Sequence, residues 1–247
     1  MDKDILSSVG LSYKDLNFSK IEEGYFSVYK NIGYTPLQVL EEIQSQLPEK
    51  VSMTYVGRLD PMAEGWFDIV FNGDMDLKAR LMQKDKVYEI EILFGVSTDT
   101  GDVLGLVQAF ESKHIDESEL KKVLTKAVGK HTWKYPQYSS PHIADPEADK
   151  SKDIEIYAIS DAKLHDISSL ELRKKIFDKL DSSRMPGDFR LELIREEWEG
   201  VFKDHEVNLQ ICSCKVSCST GTYMRTLAEV VGRELGVPAV VFSIKRI

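Results

Sequence analysis

Residues Lys86 to Val96 read KVYEIEILFGV, and the alternation in this stretch decides the architecture. Tyr88, Ile90, Ile92 and Phe94 fall on one side of an extended chain and Glu89 and Glu91 on the other, the period of two that marks a half-buried β-strand. Tyr88 therefore points with the apolar side. Upstream, Thr35 followed by Pro36 predicts a helix N-cap with proline at the first helical position. Leu37, Leu40, Ile43 and Leu47 form its apolar stripe, which Pro48 ends. Downstream, Asp116 with Glu119 predicts a capping box for a helix bearing Leu120, Val123, Leu124 and Val128, closed by Gly129. Ser168 with Glu171 does the same for Leu170, Ile176, Phe177 and Leu180. The stretch Pro141 to Ile156 (PHIADPEADKSKDIEI) has two prolines and mixed charge, the composition of an exposed loop, either a flap or a plain linker. An acidic patch ending REEWEG follows. Cys212, Cys214, Val216 and Cys218 then alternate with Ser213, Lys215 and Ser217 as a second strand with one buried face. Ser219-Thr220-Gly221 turns that strand into a helix bearing Met224, Leu227, Ala228, Val231 and Leu235, with Gly236 at its end and Arg225 in its first turn. Strands and helices alternate irregularly and no repeat is present. An α+β domain is expected, with a mixed, mostly antiparallel sheet flanked by helices.

The chain has 247 residues with 42% hydrophobic content, enough to bury an apolar core and too much for a disordered chain. Its 32 basic and 41 acidic residues give a net charge of −9, which argues against binding of nucleic acid through a global positive field and leaves only local basic patches. No run approaches the roughly 18 apolar residues of a membrane span, and MDKDILSSVG lacks the features of a signal peptide, so a cytoplasmic location is expected. Three cysteines in one segment do not make a disulfide framework. They also lack a zinc-like fourth ligand, since His205 sits at no standard spacing, so no metal site is expected.

Gly57-Arg58-Leu59-Asp60-Pro61 places a carboxylate between two turn formers, so Asp60 is expected on a loop. The longer string from Tyr55 to Gly65 (YVGRLDPMAEG) resembles the catalytic-aspartate motif of pseudouridine synthases, in the G-x-LDP-x-A-x-G form of the TruB family. Further resemblances follow in the same order. They are Lys30 to Thr35 (KNIGYT), Asp85 to Tyr88 (DKVY), Phe94 to Thr100 (FGVSTDT), Cys218 to Leu227 (CSTGTYMRTL), Leu235-Gly236, and Ile244-Lys245-Arg246. The likeness covers roughly residues 25 to 140 and 207 to 247. It implies the pseudouridine synthase catalytic fold over residues 1–247 as a single domain, with a divergent insert at about 141–200 and without the family's C-terminal PUA domain.

The resemblance implies an isomerase that converts uridine to pseudouridine, with no cofactor, in the TΨC arm of transfer RNA. No obligatory protein partner and no membrane contact are implied. Asp60 would be the nucleophile, at the ribose carbon or at the uracil ring. Arg225 would pair with it, since a nearby cation favours the ionised carboxylate. Tyr88 would stack on the flipped base and is the candidate for moving the ring proton. Lys30, Tyr55, Arg58, Lys86, Tyr223 and Ile244 are the expected RNA contacts and pocket walls. Three positions depart from the usual pattern: Tyr55 stands for histidine, Asn31 for proline, and Arg58 for a small polar residue. The GRLD string that Arg58 creates is also similar to the ribosomal-RNA branches of these enzymes. A ribosomal-RNA synthase is thus one alternative, and a catalytically silent RNA-binding or chaperone module on the same fold is another. An RNA chaperone has no need of a buried carboxylate and arginine pair, so the trio Asp60, Tyr88 and Arg225 separates the readings.

Overall fold

The computed structural model describes residues 16–17, 19–47, 49–139, 151–183, 189–204 and 208–247. The chain runs β1 (Leu16–Asn17), β2 (Tyr25–Lys30), α1 (Pro36–Ser45), β3 (Met53–Val56), β4 (Ala63–Phe71) and α2 (Met75–Met82). It continues through β5 (Lys86–Phe94), β6 (Val96–Thr98), β7 (Val107–Phe110), α3 (Glu117–Ala127) and β8 (Gly129–Lys134). The last third holds β9 (Ser151–Ser168), α4 (Ser169–Asp181), α5 (Leu191–Asp204), β10 (Asn208–Cys218), α6 (Met224–Leu235) and β11 (Ala239–Arg246). Among the described residues nine strands share one sheet in the order β1-β2-β4-β11-β5-β10-β9-β8, with β3 also on β4, and β6 with β7 form a separate hairpin. Only β4 and β11 run parallel, so the expected α+β class with a mostly antiparallel sheet holds.

The period-two reading of β5 explains the centre of this sheet. Tyr88, Ile90 and Ile92 pair with Arg246, Ile244 and Val241 of β11 on one side and with Val216, Cys214 and Cys212 of β10 on the other. Because directly paired residues share a sheet face, these side chains make one layer, apolar apart from Arg246 at its end, and all three cysteines are free and buried. Glu89, Glu91, Ser213, Lys215, Ser243 and Lys245 line a shallow groove on the opposite face. Helix α6 packs on β11 and β5, and α3 packs on α6 and β9. The β11–β4 contact is close enough to dictate Gly65. A β-carbon there would meet the Arg246 carbonyl oxygen at 2.1 Å, and φ is +125°.

The caps form where expected, and some stripe positions do not. Thr35 makes a full capping box with Gln38, but Leu37 is 51% exposed and Val39 takes its place beside Ile43 in the core; Pro48 lies outside the described residues. Asp116 caps α3 through the Ser118 and Glu119 amides, and the helix stops at Ala127, leaving Val128 exposed before Gly129 begins β8. Ser168 caps α4 through the Glu171 amide, while Leu170, in the first turn, faces solvent. The expected loop at 141–156 is corrected over 151–156, which begins β9 and pairs with β8. Ile154 and Ile156 are buried there, a short alternation masked in the sequence by the surrounding charges. Residues 141–150 and His205 lie outside the described residues. The REEWEG patch is helical, with Ile194 and Trp198 of α5 fully buried, so this part of the divergent stretch belongs to the core.

Candidate active site

Asp60 sits in a turn closed by the Ala63 amide donating to its carbonyl at 2.9 Å, as its Asp-Pro sequence predicts. Two neighbours pin this turn. The Gly33 amide donates to the Pro61 carbonyl at 2.8 Å, and Lys30 Nζ donates to the carbonyls of Ala63 (2.5 Å), Tyr34 (2.8 Å) and Asn31 (3.1 Å). Lys30 is fully buried, so its expected role as an RNA contact is corrected: its ammonium is an internal clamp on the turn that carries Asp60. An ammonium has three protons, matching three carbonyls. Burial pushes the Lys30 pKa down to about 7, against the charges of Asp60 and Glu64. Lys30→Met leaves the buried Ala63 carbonyl and the part-buried carbonyls of Asn31 and Tyr34 without their donor, so a loss of about 1–3 kcal/mol is expected in urea denaturation.

The last third of the chain supplies the opposite charge. Arg225 begins its helix with only 4% exposure, and its Nη2 lies 2.8 Å from Asp60 Oδ2, which is 32% exposed. Its fork is held in place by backbone: Nη1 donates to the Thr100 carbonyl (2.9 Å) and Nη2 to that of Tyr138 (3.2 Å). Nε is buried with no hydrogen-bond acceptor among the described residues and lies 3.9 Å from Asp102 Oδ2. Burial opposes the Arg225 charge, and the two carboxylates outweigh it, raising its pKa.

Asp102 is the functional residue that the sequence reading missed. It lies two residues beyond the T-D-T string, and a carboxylate directly after Gly101 is the one signal the sequence offers. Its Oδ1 accepts from the Leu104 amide (2.9 Å) and from Thr100 Oγ1 (3.1 Å). Desolvation raises its pKa despite Arg225. The guanidinium thus lies between an inner carboxylate, held by its own loop, and an outer one that reaches solvent.

Aromatic groups surround the pair. The Tyr223 ring centre is 5.9 Å from the Arg225 guanidinium, and Tyr135 meets it edge-on at 5.5 Å. Tyr88 is buried, with the Arg246 guanidinium in hydrogen-bonding reach of its hydroxyl and with Asp60 close enough to act on it electrostatically. Asp60 and Arg225 are therefore in direct contact, and the Asp60 charge is felt at Tyr88. Arg246 also passes Gly57, where a β-carbon would stand 3.2 Å from its Nη1, and it donates from Nε to the Trp66 carbonyl at 2.6 Å. Of the remaining expected contacts, Arg58 is exposed and Lys86 and Tyr223 are half-buried. Ile244 is buried between Ala63 and Ile90, and Tyr55 lies under Lys78 at 5.8 Å.

Burial pushes the Tyr88 pKa up to about 12. The folded state therefore keeps a proton that the unfolded chain loses near pH 10, so stability falls as pH rises from about 10 to 12. Relative to Tyr88→Phe, the wild type should lose about 2–3 kcal/mol across that interval, read from denaturation midpoints. At neutral pH the hydroxyl is a proton donor.

The family described as TruB family pseudouridylate synthase (N terminal domain) matches residues 46–180. That match spans more than half of the sequence, and the chain belongs to this family. Similar proteins include tRNA pseudouridine synthase B of Syntrophomonas wolfei, 28% identical over 225 residues that cover 90% of this chain and 65% of the relative. The protein of the same name from Listeria monocytogenes is 28% identical over 224 residues, again covering 90% and 65%. The chain thus spans just under two thirds of the length of these relatives. Among solved structures, a Cbf5-Nop10-Gar1 complex aligns with a TM-score of 0.55 and 16% identity, covering 90% of this chain and 47% of that one. An H/ACA RNP bound to a substrate RNA containing 2'-deoxyuridine aligns at 0.53 and 15%. At such identities the likeness shows the shared fold. Among the described residues no helix is long and apolar enough to cross a membrane, and no cluster of side chains suits a metal ion.

Proposed function

We propose that this chain is an RNA pseudouridine synthase acting on the uridine of the TΨC loop of transfer RNA, through one catalytic domain and without a cofactor. The observation that carries the reading is the 2.8 Å contact between Arg225 and the half-open carboxylate of Asp60. The buried guanidinium pairs with Asp60 and directs one oxygen inward, leaving the exposed edge of the carboxylate as nucleophile. The names carried by the relatives favour transfer RNA as the substrate class.

The reaction breaks the bond from ribose C1′ to uracil N1, turns the base, and joins C1′ to C5. The C5 proton leaves and N1 gains one, so atoms and charge balance without redox chemistry. Asp60 holds the intermediate through its carboxylate oxygen. Reaching a uridine stacked in folded RNA costs a few kcal/mol of unstacking, and stacking on an aromatic ring offsets about 1–3 kcal/mol of it. Tyr88 is assigned that platform and the relay of the ring proton, its hydroxyl passing its own proton on as it takes up the one from C5, and Tyr223 is assigned a wall of the pocket. Exposed Arg58 is assigned a phosphate contact.

Purified protein incubated with unmodified transfer RNA should give one pseudouridine per molecule by mass-shift labelling, and none when the T-loop uridine is replaced by cytidine. Activity on ribosomal-RNA fragments but not on transfer RNA would overturn the substrate assignment. Binding without product on either would favour the chaperone reading.

A further inference from the structure

The family match ends at residue 180, so α5 lies outside it. This helix nonetheless grips the loop that holds Arg225. Trp198 is fully buried in the middle of α5, and its Nε1 donates to the Val103 carbonyl at 3.1 Å. Arg190, just before the helix, contacts Asp99 Oδ2 through Nη1 at 2.7 Å. The other Asp99 oxygen accepts from the Leu106 amide at 2.8 Å, so Asp99 ties the two sides of the loop to Arg190. The Arg190 guanidinium also lies 5.3 Å from the centre of the Tyr138 ring. Asp99 neighbours Thr100, and the carbonyls of Thr100 and Tyr138 are the two that accept from Arg225. Arg190 thus touches both backbone segments that aim the active-site guanidinium.

We propose that α5, together with Arg190, is a positioning brace for the loop Asp99–Leu104, fixing the Thr100 carbonyl and the Asp102 carboxylate against Arg225 and so setting the direction in which Arg225 meets Asp60. The backbone fits such a role. Arg190 has φ of +58°, a left-handed conformation that a β-carbon disfavours and that persists only where the surroundings hold it. Helix α5 is itself firmly seated, with Ile194, Trp198 and Val201 buried at helical spacing and Trp198 stacked on Phe202 at 6.0 Å. The loop also bridges directly to the sheet, Asp102 pairing in parallel with Val241, so a shift of α5 and Arg190 reaches the loop at two points, Val103 and Asp99, and the Tyr138 ring at a third. A misplacement of about 1 Å at a catalytic group costs on the order of a hundredfold in rate.

The kinetic readout rests on the isomerase reading, whereas hydrogen exchange of the loop does not. Arg190→Met should lower kcat about tenfold or more with KM for transfer RNA within about twofold, and Arg190→Lys should recover part of the loss. Trp198→Phe should act in the same direction. In both Arg190→Met and Trp198→Phe the Leu104 and Leu106 amides should exchange at least about tenfold faster. Arg190→Met combined with Asp99→Asn should be no worse than either alone, as for two partners in one contact. Arg195→Ala, which removes the α5 pair with Asp181 away from this loop, should leave kcat and exchange unchanged. Arg190 is partly exposed, so its variants fold even where Trp198→Phe does not. Wild-type kcat and wild-type exchange in Arg190→Met would overturn the brace. An inactive wild type would overturn the isomerase reading, and exchange alone would then decide the brace.

Discussion

Arg225→Met should destabilise the protein by about 3–5 kcal/mol and abolish pseudouridine formation. Methionine fills much of the same space, so the loss is electrostatic. Asp102, buried and already short of solvation, would lose its cation and have to take up a proton or stay charged and unpaired, and the carbonyls of Thr100 and Tyr138 would lose their donor. Asp60 would lose its ion-pair partner and face a thioether instead. Urea denaturation reads the first effect and mass-shift labelling the second. Arg225→Lys should recover part of the stability, since it restores a charge. It should recover little activity, because an ammonium cannot reach Asp60 and both carbonyls with the geometry of a planar fork. Full activity in Arg225→Lys would show that charge alone suffices.

Asp60→Asn should separate the two effects. Asparagine is isosteric and Asp60 is partly exposed, while Arg225 keeps Asp102 and its two carbonyl acceptors, so the stability change should stay near 1–2 kcal/mol. Turnover should fall by at least about a thousandfold, because an amide oxygen cannot serve as a carboxylate nucleophile. Affinity for unmodified transfer RNA should be retained, as read by filter binding at fixed salt. A variant that keeps even a tenth of wild-type turnover would remove Asp60 from the chemistry.

The legible parts of this chain were those where local chemistry determines the answer. The alternation in β5 and β10 set the sheet face on which Tyr88 and the cysteines lie. The Asp-Pro turn set the exposure of Asp60, and Thr35, Asp116 and Ser168 set three helix starts. What stayed hidden depended on distant partners. Lys30 looks like a surface cation from its neighbours, and only the fold brings three carbonyls to its ammonium. Asp102 looks like any loop carboxylate until Arg225 arrives from more than a hundred residues away. Leu37 and Leu170 fit helical stripes yet face solvent, since each lies two residues, about 200° around the helix, from the buried Val39 and Leu172. The charges around Ile154 concealed the start of a strand, and those around Trp198 concealed a core helix.

β11 is the last strand in chain order, yet it lies at the middle of the sheet, between β4 and β5. Among the described residues, β1, β2, β3 and β4 have no strand pairing to β5, β8, β9 and β10 except through it, and the turn carrying Asp60 belongs to one half while Arg225 belongs to the other. Removing β11 would therefore leave two unjoined half-sheets, with Asp60 on one and Arg225 on the other. A single strand thus acts as the keystone that brings the two charges face to face.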